Sequence, residues 1–146
     1  MSAMEPFSNL LGNIPRQLSK EESMLLEAVF FTRICRELKD VFKEESKEYF
    51  RLMKFNKKKE NKMIERNLVR CMIKDIISTE AYSTSGIAYY TNTPVEVIND
   101  VASGANVFPS FTVVRKIMEL HQSVRSELYK SILGKIIREH SESDLG

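Results

Sequence analysis

At 146 residues with a formal net charge of +2, the chain is long enough for one domain, or a small domain with an extension, and its total charge selects no partner. Hydrophobic residues make up 42%, enough for a packed core, while no apolar run approaches the roughly 20 residues that span a bilayer. Cys35 and Cys71 sit in apolar surroundings that suit buried thiols in a reducing cytoplasm, and neither cysteine pairs with His121 or His140 at a metal-binding spacing.

Residues 1–18, with Pro6, Gly12 and Pro15, read as an irregular leader. Glu5 and the lack of an apolar core there argue against a signal peptide. A cytoplasmic protein without a membrane partner is expected. From Arg16 to Ser85 there is neither Gly nor Pro, and no alternating strand pattern, so this interval should be almost wholly helical. Ser19 and Glu22 form a capping box opening a long helix, with an apolar stripe through Met24, Leu25, Ala28, Val29, Ile34, Leu38, Val41, Phe42, Tyr49, Leu52 and Met53. Unbroken to Met53 it would be about 52 Å long, so it must bend or bury its end on another chain. The polar stretch Lys54–Lys62 is the expected break. It belongs to a basic segment, Arg51 to Arg70, in which eight cations face only Glu60 and Glu65. A second helix over about Lys62–Ser78 should turn Ile64, Leu68, Cys71, Met72 and Ile76 inward.

Tyr82 to Gly104 reads YSTSGIAYYTNTPVEVINDVASG. Ser83 is suited to cap a helix from Thr84 to about Thr91, and Asn92 tolerates the left-handed conformation of a tight turn. Thr93 as N-cap, Pro94 in the first helical position and Glu96 closing a capping box predict a second helix, ended near Ser103 by Gly104. Pro94, Val97, Ile98, Val101 and Ala102 share its apolar face, and Glu96, Asn99, Asp100 and Ser103 share the polar one. Further helices are expected over about Ser110–His121 and about Ser123–Glu139, the latter weakened by Gly134. His121 reads as a residue near a helix C-terminus, where partial positive charge is favourable.

The spacing of Tyr82, Ser83, Ile87, Ala88, Ile98 and Gly104, continued by Pro109, Ser110, Val114, Ile117 and Met118, resembles the lambda repressor and Cro family of helix-turn-helix domains. The resemblance covers roughly Met63 to His121. It departs from the family at Gly86, inside the first helix, and at Asn92, which replaces a turn glycine. The interval from Gly104 to Pro109 is also one residue longer than typical. What it implies is an all-α, lambda-repressor-like helix-turn-helix bundle with an N-terminal long-helix extension. The expected organisation is a leader over 1–18, an extension over 19–56 and a helix-turn-helix domain with a C-terminal helix over 57–146.

The resemblance further implies a DNA-binding transcriptional regulator of double-stranded DNA, acting as a homodimer through its N-terminal or C-terminal helices. By position, Val95, Glu96, Asn99 and Asp100 would face base edges, while Thr84 and Ser85 would lie near phosphates. No Lys or Arg occurs between Thr79 and Val114, so Lys57, Lys58, Lys59 and Lys62 would have to supply the attraction to phosphate. The acidic polar face suits an alternative: a protein-interaction module on a degenerate helix-turn-helix scaffold. A third reading is RNA binding through Lys54–Lys62, with Phe55 stacking on a base. No phosphate loop, nucleophile motif or apolar carboxylate pair occurs, so neither an enzyme nor a cofactor is expected.

Overall fold

The computed structural model describes residues 19–106 and 108–145, with the side chains of all of these except 22–24 and 140–145. The expected leader, the Glu22 half of the first capping box and the His140 side chain lie outside the described residues. The described chain is all-helical: α1 (Lys20–Glu45), α2 (Lys47–Leu52), α3 (Lys57–Ser78), α4 (Thr84–Tyr90), α5 (Val95–Ser103), α6 (Phe111–Val124) and α7 (Ser126–Leu145). None of these is long and apolar enough to cross a membrane.

The described residues form two units, one of residues 19–37 with 127–145 and one within 38–126. Residues 38–56 belong with the helices that follow them, and residues 127–145 with residues 19–37. Helix α1 continues through the first boundary at Glu37 and Leu38.

In the first unit, Ile34, Tyr129, Ile132, Leu133 and Ile136 are buried. Lys135 Nζ pairs with Glu37 at 2.7 Å, and Arg33 pairs with Glu139. That hydrogen bond from Arg33 holds the Glu139 carboxyl below the ordinary carboxylate range. Leu25 and Val29 on α1 and Ile137 on α7 are exposed. Among its described residues the expected apolar stripe is buried at Ile34, Leu38 and Phe42 and is open again at Tyr49, Leu52 and Met53.

In the second unit the long helix breaks earlier than the composition indicates. Ser46 takes φ −96° and ψ 3°, outside helical geometry, and separates α1 from α2. A second interruption follows at the end of α2, where Lys54 is left-handed at φ 57°. Helix α3 then begins at Lys57, earlier than expected, because the Asn56 side chain accepts a hydrogen bond from the Lys59 amide and caps it. Lys57, Lys58 and Lys59 consequently lie in a first helical turn and not in a loop.

Helix α3 carries Ile64, Leu68, Met72, Ile73 and Ile76 into the core. It kinks at Asn67 (φ −111°, ψ 15°), whose side-chain amide donates to the Met63 carbonyl one turn back and competes with the backbone ladder. Opposite residues come from α4 (Ile87, Ala88), α5 (Ile98, Val101) and α6 (Ile117, Met118, Leu120). Ser110 caps α6 through the Val113 amide, and α6 runs on to Val124.

Helices α3 and α6 share a buried polar link. Asp75 Oδ2 lies 2.6 Å from His121 Nε2, and the Arg125 guanidinium reaches both Asp75 oxygens at 2.8 and 3.0 Å. An ionised carboxylate only accepts, so His121 donates from Nε2. His121 is fully buried, with the Phe42 ring 6.0 Å away, and Asp75 is 11% exposed. His121 thus lies in the last turn of α6, as its position suggests, and is in addition an interior hydrogen-bonding group. Burial alone would raise the Asp75 carboxyl, but the hydrogen bond and charge of His121, with Arg125, outweigh it and hold it below its ordinary range.

Candidate nucleic-acid interface

Helices α4 and α5 present the residues singled out above, and the turn between them differs in detail from expectation. Ser83 caps α4 as expected, its hydroxyl accepting from the Gly86 amide at 3.1 Å. Asn92 is left-handed at φ 49°, as the turn requires. The Thr93 amide donates to the Ala88 carbonyl at 3.0 Å, which closes the C-terminal end of α4 in a Schellman arrangement. The Thr93 hydroxyl donates to the Thr91 carbonyl. Thr93 therefore belongs to the end of α4 and does not cap α5, and the expected capping box with Glu96 does not form. Pro94 takes the cap position in its place: at φ −55° and ψ 139° it is extended, and its carbonyl accepts from Val97. Having no side-chain acceptor, it leaves the first turn of α5 without a side-chain cap. Pro94 is exposed, not inward.

Inside, Ile87, Ala88, Ile98 and Val101 are buried, and the Thr91 hydroxyl satisfies itself on the Ile87 carbonyl at 2.7 Å. Outside, Glu96, Asn99 and Asp100 are exposed, and Val95 is half-buried. On α4, Ser85 is exposed and Thr84 half-buried. Among the described residues neither Glu96 nor Asp100 has an ion-pair partner. Tyr89 is 91% exposed, and Tyr90 is half-open with its ring edge-on to Tyr82 at 6.2 Å. Beyond α5, Phe108 and Phe111 are also exposed, aromatic surface that the reading of the sequence did not single out.

The cation nearest α5 comes from α3. Arg70 Nε donates to the Ala102 carbonyl at 3.0 Å and so satisfies one of the open carbonyls at the end of α5. Its guanidinium packs against Gly104, which sits at φ +87°, where an added Cβ would lie 3.4 Å from it. A shallow cleft opens there, lined by Arg66, Asn67, Arg70, Val101, Gly104 and Asn106 among others. Lys57, Lys58, Lys59 and Lys62 are exposed, and Lys62 and Lys57 precede Arg70 by 8 and 13 residues. At helical rise they begin about 12 Å, and end about 20 Å, further along α3 from that junction. The structure thus joins Val95, Glu96, Asn99 and Asp100 on one short helix, with Arg70 at its C-terminal end. The lysine cluster occupies the far end of α3.

Phe55 is half-buried and packs against its neighbours. Its ring lies 5.9 Å from Phe50 in a stacked pair and 6.2 Å edge-on from Tyr49, with Lys59 Nζ 5.7 Å from its centroid.

No group of three or more potential metal ligands occurs among the described residues. Compared with known proteins, the chain matches no family model, no curated protein and no solved structure.

Proposed function

We propose that the chain is a DNA-binding transcriptional regulator that presents α5 to the major groove and acts as a dimer, its second unit having a lambda-repressor-like arrangement. The observation that carries this reading is the α4–turn–α5 unit: Ile87, Ala88, Ile98 and Val101 are buried, while Glu96, Asn99 and Asp100 share a solvent-facing side. Asn99 carries the amide that reads adenine by paired hydrogen bonds, and Glu96 can accept from a cytosine amino group. Asp100 opposes phosphate, so net attraction has to come from cations flanking α5, with Arg66 at the cleft by its C-terminal end. Exposed Leu25, Val29 and Ile137 give the first unit apolar surface for a dimer contact.

The test is fluorescence anisotropy of a labelled random duplex titrated with the full chain at two salt concentrations. Binding that weakens steeply with salt is expected, together with tighter non-specific binding by Glu96→Gln/Asp100→Asn. No binding at low salt would overturn the reading.

A second reading is favoured by one observation: two unpaired carboxylates stand on the most exposed side of α5. On that reading α5 docks a basic protein surface, and the same double substitution weakens the complex instead of tightening anything.

A further inference from the structure

The turn joining α2 to α3 combines two features. It exposes aliphatic side chains, and it carries several lysines without ion-pair partners. Leu52 is 76% and Met53 52% exposed. From Arg51 to Lys62 the chain holds six cations and a single carboxylate, Glu60. Among the described residues Lys54, Lys57 and Lys58 have no ion-pair partner, unlike Arg51, which is held by Glu48.

The turn has a defined shape. The Phe55 amide donates to the Phe50 carbonyl at 3.0 Å and the Lys54 amide to the Arg51 carbonyl at 3.1 Å, with Lys54 left-handed. This is a Schellman closure, and its usual apolar contact is present as the Phe50–Phe55 stack. The two phenylalanines occupy the inner side, Phe50 being 2% exposed, so Leu52 and Met53 are left outside with the lysines.

We propose that this turn docks on an anionic lipid bilayer surface, with Leu52 and Met53 entering the interfacial layer and Lys54, Lys57 and Lys58 facing the headgroups. Charge complementarity names the partner as anionic, and the aliphatic apex selects among anionic partners. Leu52 and Met53 offer no π-face to a nucleobase, and Phe55 is engaged within the protein. An apolar peptide helix needs a groove, and no residue of this turn lines the cleft described above. A headgroup layer accepts a convex apolar tip and attracts the surrounding cations together. Such docking needs no spanning helix, so it is compatible with the absence of one among the described residues. The inference uses no residue of α4 or α5, and it assigns Lys57 and Lys58 to lipid headgroups where the DNA reading of the sequence assigns them to phosphate.

The experiment is co-sedimentation of the full chain with vesicles of phosphatidylcholine alone or mixed with phosphatidylserine. Partitioning is expected only into the phosphatidylserine vesicles and should fall as salt rises. Lys54→Gln/Lys57→Gln/Lys58→Gln should lower it about 100-fold, at the usual contribution of each cation near an anionic surface. Leu52→Gln/Met53→Gln should lower it roughly 30-fold, from the lost apolar insertion. All five side chains are exposed, so thermal unfolding should stay unchanged, which separates lost docking from lost folding. No partitioning, equal partitioning into neutral vesicles, or full partitioning by Leu52→Gln/Met53→Gln would each overturn the proposal. So would a self-associated chain that Leu52→Gln/Met53→Gln dissociates, since the apex would then be a contact between copies.

Discussion

Replacing Asp75 by Asn tests the buried polar link between α3 and α6. Asp75 accepts from His121 at 2.6 Å and from Arg125 at 2.8 and 3.0 Å, and it is 11% exposed. The substitution keeps the shape, removes the charge and turns a side-chain donor toward two donors. Removing one partner of a buried ion pair costs about 3–5 kcal/mol. Arg125 is 34% exposed and can rehydrate, whereas fully buried His121 cannot, so the lower end, about 3 kcal/mol, applies. In a chain of this size that is a fall in melting temperature of roughly 6–12 °C. The assay is thermal unfolding followed by circular dichroism across a pH series. Because the folded carboxyl is held below its unfolded value, the stabilisation is complete above about pH 4 and disappears as pH falls through the folded value. The difference between wild type and variant should therefore be largest near neutrality and shrink in acid. A neutral-pH melting temperature within about 2 °C of wild type would refute the reasoning, as would a difference that persists undiminished in strong acid.

The two glycines of the α4–α5 region should respond oppositely to alanine. Gly104→Ala forces a side chain into the left-handed region against Arg70 and should cost about 1–2 kcal/mol by urea denaturation. At Gly86 an added Cβ meets Tyr82 and Ser83 at ordinary contact distances of 3.4 and 3.6 Å, so Gly86→Ala should be stabilising by about 0.5 kcal/mol. Burial pushes the Cys71 thiol up despite the nearby Lys74 and Arg70 charges. In a Cys35→Ser background, reaction with a disulfide reagent should therefore be slow in the native protein and accelerate at least about tenfold in denaturant.

Where local chemistry decided the outcome, it was legible in the residues. The Ser83 cap, the left-handed Asn92, the Gly104 stop and the inward series Ile64, Leu68, Met72 and Ile76 follow from side-chain hydrogen bonding, αL tolerance and helical period. Misreadings arose where two local signals competed for one residue. Thr93 has the hydroxyl of a helix cap, yet its amide was already committed to the Ala88 carbonyl by the αL turn before it. Pro94 therefore begins α5 without a side-chain acceptor. Lys57–Lys59 looked like a loop by charge, but the Asn56 cap three residues before Lys59 outweighs three exposed lysines. Nothing local marks the pairing of Asp75 with His121, which lies 46 residues away and exists only once α3 and α6 pack.

The same long-range packing explains how α5 ends, and it bears on the charge problem at the candidate interface. The open carbonyls at the end of a helix attract a cation, and α5 has no Lys or Arg of its own to meet them. Arg70 meets one of them from α3, at Ala102. A guanidinium held this way serves the end of α5 first, and its reach toward any phosphate is set by where α5 stops. Arg70→Ala should therefore loosen the end of α5 as well as lower local positive charge, whereas Arg66→Ala removes charge from the same cleft without that capping bond. If α5 contacts DNA, Arg66→Ala should reduce the slope of affinity against salt by about one counterion while leaving thermal stability unchanged. Arg70→Ala should change both. An Arg66→Ala variant with an unchanged salt slope would place the phosphate contacts elsewhere on the chain.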